Sequence, residues 1–155
     1  MELINKYFTD LTAEQISRFH QLESLYNDWN SKINVISRKD INDLYLKHIL
    51  HSLAIAKVIS FKDGTNILDV GTGGGFPGIP LAILFPNCNF LLLDSISKKI
   101  NVVNSVVKAL DLNNVSTIAS NVEAVNSKHD FVVSRAVTRM DKFIRLIKGK
   151  ILKGG

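Results

Sequence analysis

Apolar residues along the chain follow two patterns. Through residue 63 they recur at helical spacing; from residue 64 they come in short unbroken runs bounded by Gly, Pro, Asn and Asp. Thr12 opens a capping box with Gln15 three residues on. Ile16, Phe19, Leu22, Tyr26 and Trp29 then trace one face of a helix. Asn30 to Arg38 is polar and predicts a loop. Asp40 is placed to cap a second helix, with Asp43 in its favourable first turn. Ile41, Leu44, Tyr45, Ile49, Leu53 and Ala56 would form its buried stripe, and Asp63-Gly64 marks the turn that ends it.

The second half predicts strands alternating with helices. Asn66 to Val70 is an apolar strand running into Gly71, and Pro80 to Phe85 a short helix stopped by Pro86. Phe90 to Leu93 is a second strand ending at Asp94, followed by a helix over Lys98 to Leu110. Val115 to Ala119 and Phe131 to Val133 are the third and fourth strands. Met140, Phe143, Ile144, Ile147 and Ile151 fit one face of a last helix over Arg139 to Leu152. Continuous apolar strands alternating with helices indicate an α/β fold with a parallel sheet covered on both faces. The expected organisation is an N-terminal helical extension, residues 1–63, packed on a Rossmann-like core, residues 64–155, in one structural domain. Ligands of such sheets bind outside the carboxyl ends of the strands, so the residues just after each strand carry the functional reading.

Composition narrows the class. Hydrophobic residues make up 46% of 155, enough to build a core rather than a disordered chain. Cys88 is the only cysteine, which excludes an intrachain disulfide and a cysteine metal cluster. That suits a reducing cytoplasm, the expected location. The first ten residues show no basic-then-apolar leader, and no apolar run approaches a membrane span. The net charge of +5 says less than its distribution. Arg135, Arg139, Lys142, Arg145, Lys148, Lys150 and Lys153 face a single acid, Asp141, between Phe131 and Gly155. A solvated face is the ordinary meaning of such a run; phosphate contacts to a nucleic acid are the functional alternative. Lys32, Arg38 and Lys39 could add a second contact, while Tyr26 and Trp29 sit at core spacing.

The densest chemistry lies between Asp69 and Gly78. Glycine permits positive φ and close approach of a ligand to the backbone. Gly71 and Gly73 fit the dinucleotide fingerprint, but its third position is Phe76, and no Gly-Lys-Ser/Thr follows to make a phosphate loop. The pattern that does fit is acid-x-Gly-x-Gly-x-Gly, with Asp69, Gly71, Gly73 and Gly75. An acid beside the loop would repel a pyrophosphate but suits S-adenosylmethionine, which carries a sulfonium cation and no phosphate. Asp94, at the end of the second strand, is where a carboxylate can accept from both ribose hydroxyls of an adenosine. Its bland reading is a helix-capping Asp.

These residues resemble a known family. Asp69-Val70-Gly71-Thr72-Gly73-Gly74-Gly75-Phe76-Pro77-Gly78-Ile79-Pro80-Leu81 is similar to the signature of the glucose-inhibited division protein B family, bacterial 16S rRNA guanine-N7 methyltransferases. Asn34-Val35-Ile36-Ser37, Lys47-His48-Ile49-Leu50-His51-Ser52-Leu53, Leu93-Asp94-Ser95-Ile96-Ser97-Lys98-Lys99 and Val133-Ser134-Arg135-Ala136 occur in the family's order. The resemblance implies a class I methyltransferase fold using S-adenosylmethionine. It implies Gly71 and Phe76 against the cofactor, Asp94 on its ribose, Val122 and Glu123 flanking the adenine, and Arg135 reaching the cofactor or the substrate edge. The implied partner is 16S rRNA or the small ribosomal particle; a monomer with no membrane attachment is the separate expectation. His51 departs from the family's more frequent Asp. A complete sheet of this class has seven strands against the four predicted here, so a C-terminally shortened chain is expected.

Guanine N7 has an exposed lone pair, and methyl transfer to it needs an in-line approach rather than a strong base. Catalysis is expected from orientation and exclusion of water. Arg135, after the fourth strand, could contact guanine O6 or a phosphate; a surface ion pair is the bland alternative. His48 and His51 lie three apart on the predicted helix with no third ligand nearby, which favours packing for His48 and a solvated His51 over a metal site. His20 and His129 fit no motif. Two other classes share part of the pattern. A nicotinamide-dependent oxidoreductase would use the same loop and acid, but Phe76 and the lack of a Tyr-x-x-x-Lys pair oppose it. A non-catalytic RNA-binding module would need only the basic tail.

Overall fold

The computed structural model describes residues 1–152. Lys153, counted above in the basic tail, lies outside the described residues. Two helices, α1 (Glu2–Tyr7) and α2 (Ala13–Lys32), precede an irregular helical stretch. The core then runs β1 (Asn66–Val70), a helix over Gly78–Leu84, β2 (Asn89–Asp94), a helix over Ser97–Ala109, β3 (Val115–Ala119), β4 (Phe131–Ser134) and a helix over Met140–Leu146. All four strands are parallel, in the order β3-β2-β1-β4. Strand order therefore turns back at β1, which places a topological switch point between β1 and β4.

The apolar runs account for this arrangement. Along β1 and β2, successive side chains alternate between faces. Ile67, Phe90 and Leu92 join the larger core, with Phe19, Leu22 and Tyr26 of α2 and Leu81 and Ile83 of the Gly78–Leu84 helix. Leu68, Val70 and Leu93 join a smaller cluster on the other face, with Val122 and Val125 and partly buried Phe143, Leu146 and Ile147. The strands are apolar throughout because both faces are covered. The N-terminal helices do not stand apart. Gln15 Nε2 donates to the Ile83 and Leu84 carbonyls, and Arg18 donates to those of Leu110 and Asp111. Both helix-end carbonyl groups are thereby satisfied from α2.

The capping box at Thr12 and Gln15 forms as the sequence predicts, with both reciprocal bonds present. Two predicted helices do not form as single α-helices. The stretch expected as a helix from Asp40 is a 3-10 turn (Ile41–Asp43), a π-helix (Leu44–Leu50), one α-turn, α3 (His51–Leu53), and a 3-10 turn (Ala54–Lys57). Asp40 makes no side-chain cap; its carboxylate instead accepts from Ser37 and Lys47. An apolar stripe constrains which face is buried, and it is satisfied here by a winding that is alternately tighter and wider than α. The helix expected over Arg139 to Leu152 ends at Leu146. Gly149 turns the chain at φ +80°, and Ile151 pairs in a parallel bridge with His129. Gly149 is a helix-stop signal that the apolar count passes over. The short helix α1, which buries only Ile4, has no counterpart in the periodicity.

With α3 in place, the later helices are α4 (Gly78–Leu84), α5 (Ser97–Ala109) and α6 (Met140–Leu146). The start of α4 sits hard against the sheet. A Cβ at Gly78 would come within 2.7 Å of Leu92 Cγ and 2.8 Å of Asp69 Oδ2. Both neighbours are fully buried. Gly78→Ala is therefore expected to destabilise the fold by about 1–3 kcal/mol, the usual cost of overpacking a filled core. Urea unfolding of the two proteins measures the difference.

Candidate active site

The loop after β1 is stitched to the end of β2. The Gly71 and Thr72 N–H groups both donate to the Leu93 carbonyl, at 2.8 and 2.9 Å. The Asp94 carboxylate receives the Gly73 N–H on one oxygen and the Ile96 N–H on the other, each at 2.9 Å. Asp94 thus serves as a local backbone acceptor, but it does not cap the helix over Ser97–Ala109, whose N-terminus has no side-chain cap. Each carboxylate oxygen can accept more than one hydrogen bond, and the side chain also lines a cavity.

That cavity, of about 390 Å3, opens at the carboxyl ends of the strands. Val70 and Gly71 after β1, Asp94 and Ile96 after β2, Val122 and Glu123 after β3, and Ala136 and Val137 after β4 form its walls, with Leu146 of α6. Gly71 has φ +70°, and a Val137 methyl fills the space its Cβ would need. Of the predicted site residues, Gly71, Asp94, Val122 and Glu123 meet here. Ile96, Val137 and Leu146 were not singled out from the sequence. Ile96 could have been, as a large apolar residue directly after the Asp-Ser that ends β2; it is 48% exposed.

Other predicted residues lie outside the cavity lining. Gly73 reaches the site through its bond to Asp94. Gly75, at φ +98°, packs under the loop, where a Cβ would meet Ile79 Cδ1 at 2.5 Å. Asp69 is fully buried beneath the loop. Its Oδ2 accepts from Thr72 Oγ1 at 2.6 Å and from the Gly78 N–H at 2.9 Å, while Oδ1 is buried without a partner. Phe76 is buried on the Tyr26 ring (centroids 4.9 Å) and the His48 ring (5.2 Å). Tyr26 in turn donates its hydroxyl to the Gly74 carbonyl at 2.5 Å.

Arg135 follows β4 and sits next to the cavity-lining Ala136, but its guanidinium is directed to the N-terminal half. It stands 5.4 Å from the Phe76 ring centroid and donates to the Lys47 carbonyl at 3.0 Å. It also lies 2.7 Å from His48 Nδ1 and 3.5 Å from His51 Nδ1. His48 is thus more than a packing residue, and exposed His51 is only loosely engaged. Arg139, Lys142, Arg145 and Lys148 are exposed on and beside α6, and Arg139 pairs with Asp141 at 3.3 Å. Among the described residues, no three metal-ligating side chains cluster, and no helix is long and apolar enough to cross a membrane.

A parallel sheet of this order, with a glycine loop and an acid at the ends of its first two strands, is a Rossmann-like fold, the fold of class I methyltransferases. Solved structures agree. Coclaurine N-methyltransferase superposes with TM-score 0.60 at 16% identity over 67% of this chain and 33% of its own. A SAM-dependent methyltransferase from Aquifex aeolicus superposes with TM-score 0.56 at 22% identity, over 70% and 61%. Residues 15–155 match the family described as rRNA small subunit methyltransferase G. Proteins of that name from Christiangramia forsetii and Flavobacterium johnsoniae are each 61% identical over 99% of this chain, which spans 72% and 73% of their lengths. The Porphyromonas gingivalis protein is 54% identical over 95% of the chain and 66% of its own. The chain belongs to the rRNA small subunit methyltransferase G family.

Burial pushes the Asp69 carboxyl up to about 7, against the opposing pull of Thr72, the Gly78 N–H and the Arg135 charge. Between its ordinary value of 3.8 and about 7, the folded chain holds a proton that the unfolded chain has released. The stability tied to the neutral carboxyl is therefore fully present below the ordinary value and lost as pH rises through 7. Asp69→Asn cannot ionise. Urea unfolding of both proteins between pH 5 and 8 is expected to show a smaller loss of stability with rising pH in the variant.

Proposed function

We propose that this chain methylates N7 of a guanine in 16S ribosomal RNA, with S-adenosylmethionine as cofactor. Membership of the rRNA small subunit methyltransferase G family carries the reaction class and the rRNA substrate. The cavity supports the cofactor assignment. Its volume falls in the usual range for a small-molecule site. It combines two carboxylates, Asp94 and Glu123, with apolar walls from Ile96, Val122 and Val137, surfaces that suit the polar ribose and the flat base of an adenosine. Asp94 would accept from the ribose hydroxyls, Val122 and Glu123 would flank the adenine, and Gly71 would let the ligand approach the backbone. Gly73 would act by holding Asp94, and Asp69, Gly75 and Phe76 by shaping the loop from below. The nicotinamide reading is not favoured, since Phe76 fills the third fingerprint position with a buried ring.

When bound, the cofactor supplies an electrophilic methyl group on a sulfonium. The chain's own residues have to orient and to exclude water, because guanine N7 already carries its lone pair and needs no base. Arg135 is the catalytic candidate. The guanidinium has five N–H donors; three face Lys47, His48 and His51, leaving others for guanine O6 or a phosphate. The exposed cations on and beside α6 would add phosphate contacts to the 16S rRNA or the small ribosomal particle. Residues 1–63 act as a helical extension on the 64–155 core within one domain, and the protein works as a cytoplasmic monomer.

Calorimetric titration is expected to show saturable binding of S-adenosylmethionine and none of NAD. Asp94→Ala should weaken it about 10- to 100-fold, the loss expected for hydrogen bonds to a charged group. Mass spectrometry of small-subunit rRNA incubated with the protein should show a methyl group on guanine N7. Methylation elsewhere on the RNA would overturn the N7 assignment.

A further inference from the structure

Arg135, directly after β4, meets His48 of the N-terminal half at 2.7 Å. An arginine side chain only donates. His48 Nδ1 must therefore accept, which leaves the ring proton on Nε2. That nitrogen is buried and has no hydrogen-bond partner. Packing alone does not account for an imidazole here, because an orphaned buried donor costs stability that an apolar side chain would not. The ring also lies on Phe76, the residue over which the guanidinium is stacked, so His48, Phe76 and Arg135 form one compact unit. His48 is carried by the π-helix Leu44–Leu50, a winding that is rare and frequently found at functional sites. Its Lys47 carbonyl takes a second N–H of the same guanidinium.

We propose that His48 is the positioning residue for Arg135: its ring, protonated at Nε2, accepts from the guanidinium at Nδ1 and holds it over Phe76, beside the glycine loop, at the angle from which it meets the RNA. This rests on the reading of Arg135 as the substrate-facing group. The role requires a neutral ring. Burial, reinforced by the Arg135 charge, pulls the His48 imidazole down to about 4, with Asp40 opposing and His51 and Lys47 adding to the effect. The pair is then intact throughout the neutral range. His51, exposed and 3.5 Å from the same guanidinium, is too loosely held to substitute.

Two measurements test this. Side-chain 15N NMR of the wild-type chain at neutral pH is expected to show His48 as the fixed Nε2–H tautomer, with an Nδ1 resonance that moves in Arg135→Lys. A ring protonated on Nδ1, or one indifferent to residue 135, overturns the pair. For the second, His48→Leu removes the acceptor, and His48→Asn keeps one at the place of Nδ1. His48→Leu should lower kcat/KM for small-subunit rRNA about 10- to 100-fold, as expected for loss of a charge-assisted bond. Its affinity for S-adenosylmethionine should stay within about threefold, and His48→Asn should recover most of the activity. In an Arg135→Ala background, His48→Leu should cost nothing further. Additive losses, or a His48→Asn as poor as His48→Leu, overturn the positioning role. If His48→Leu does not fold, the NMR signature and His48→Asn still decide. A wild-type chain with the expected tautomer but no methyl transfer to rRNA fails the methyltransferase reading and leaves the pair standing.

Discussion

The buried carboxyl of Asp69 ties together the two ends of the glycine loop. A single oxygen receives the Thr72 hydroxyl at the start of the turn and the Gly78 N–H at the start of α4. The path of the loop between them is thereby set from below, and its upper side is free to be stitched to β2 through Leu93 and Asp94. The arrangement is costly. The second Asp69 oxygen has no partner, and burial holds the group close to neutral. Such a group survives only where the surrounding packing over-determines it. Gly75 and Gly78, whose absent side chains let Ile79, Tyr26 and Leu92 close in, supply that packing.

The two acids of the signature therefore divide the work. Asp69 faces the protein and shapes the loop, while Asp94 faces the cavity and presents a carboxylate to whatever binds there. A sulfonium-bearing cofactor without phosphate is compatible with both. Its reactive group needs no base from the protein when the acceptor is already a nucleophile, which is consistent with a site whose polar groups bind and orient.

The N-terminal helices belong to the site as much as to the fold. Tyr26 holds the Gly74 carbonyl, and Phe76 is clasped between Tyr26 and His48. Arg135, from the far edge strand, closes the circuit onto Lys47 and His48. The underside of the glycine loop thus also rests on residues from the first fifty positions. Movement of the π-helix would be felt at the loop and at Arg135 together, because packed interiors transmit displacement rather than absorb it.

The chain's own pattern determined the α/β class, the four strands to within a residue or two, the capping box at Thr12, and the placing of Gly71 and Asp94 at the carboxyl ends of the first two strands, while Val122 and Glu123 came from the family resemblance. Those features are local. A continuous apolar run reads as a buried parallel strand, and ligands of such sheets gather at the strands' carboxyl ends. Tertiary structure decided the rest. The irregular stretch Ile41–Lys57 and the chain after α6 both meet partners distant in sequence: Arg135 bonds to the one, and His129 pairs with the other. Periodicity reports which face is buried, and several windings bury the same face. The split between Asp69 below the loop and Asp94 above it was equally illegible, as was the turn of Arg135 towards His48. A side chain's role follows from which groups it meets, and those are set only when elements far apart in the chain pack against each other.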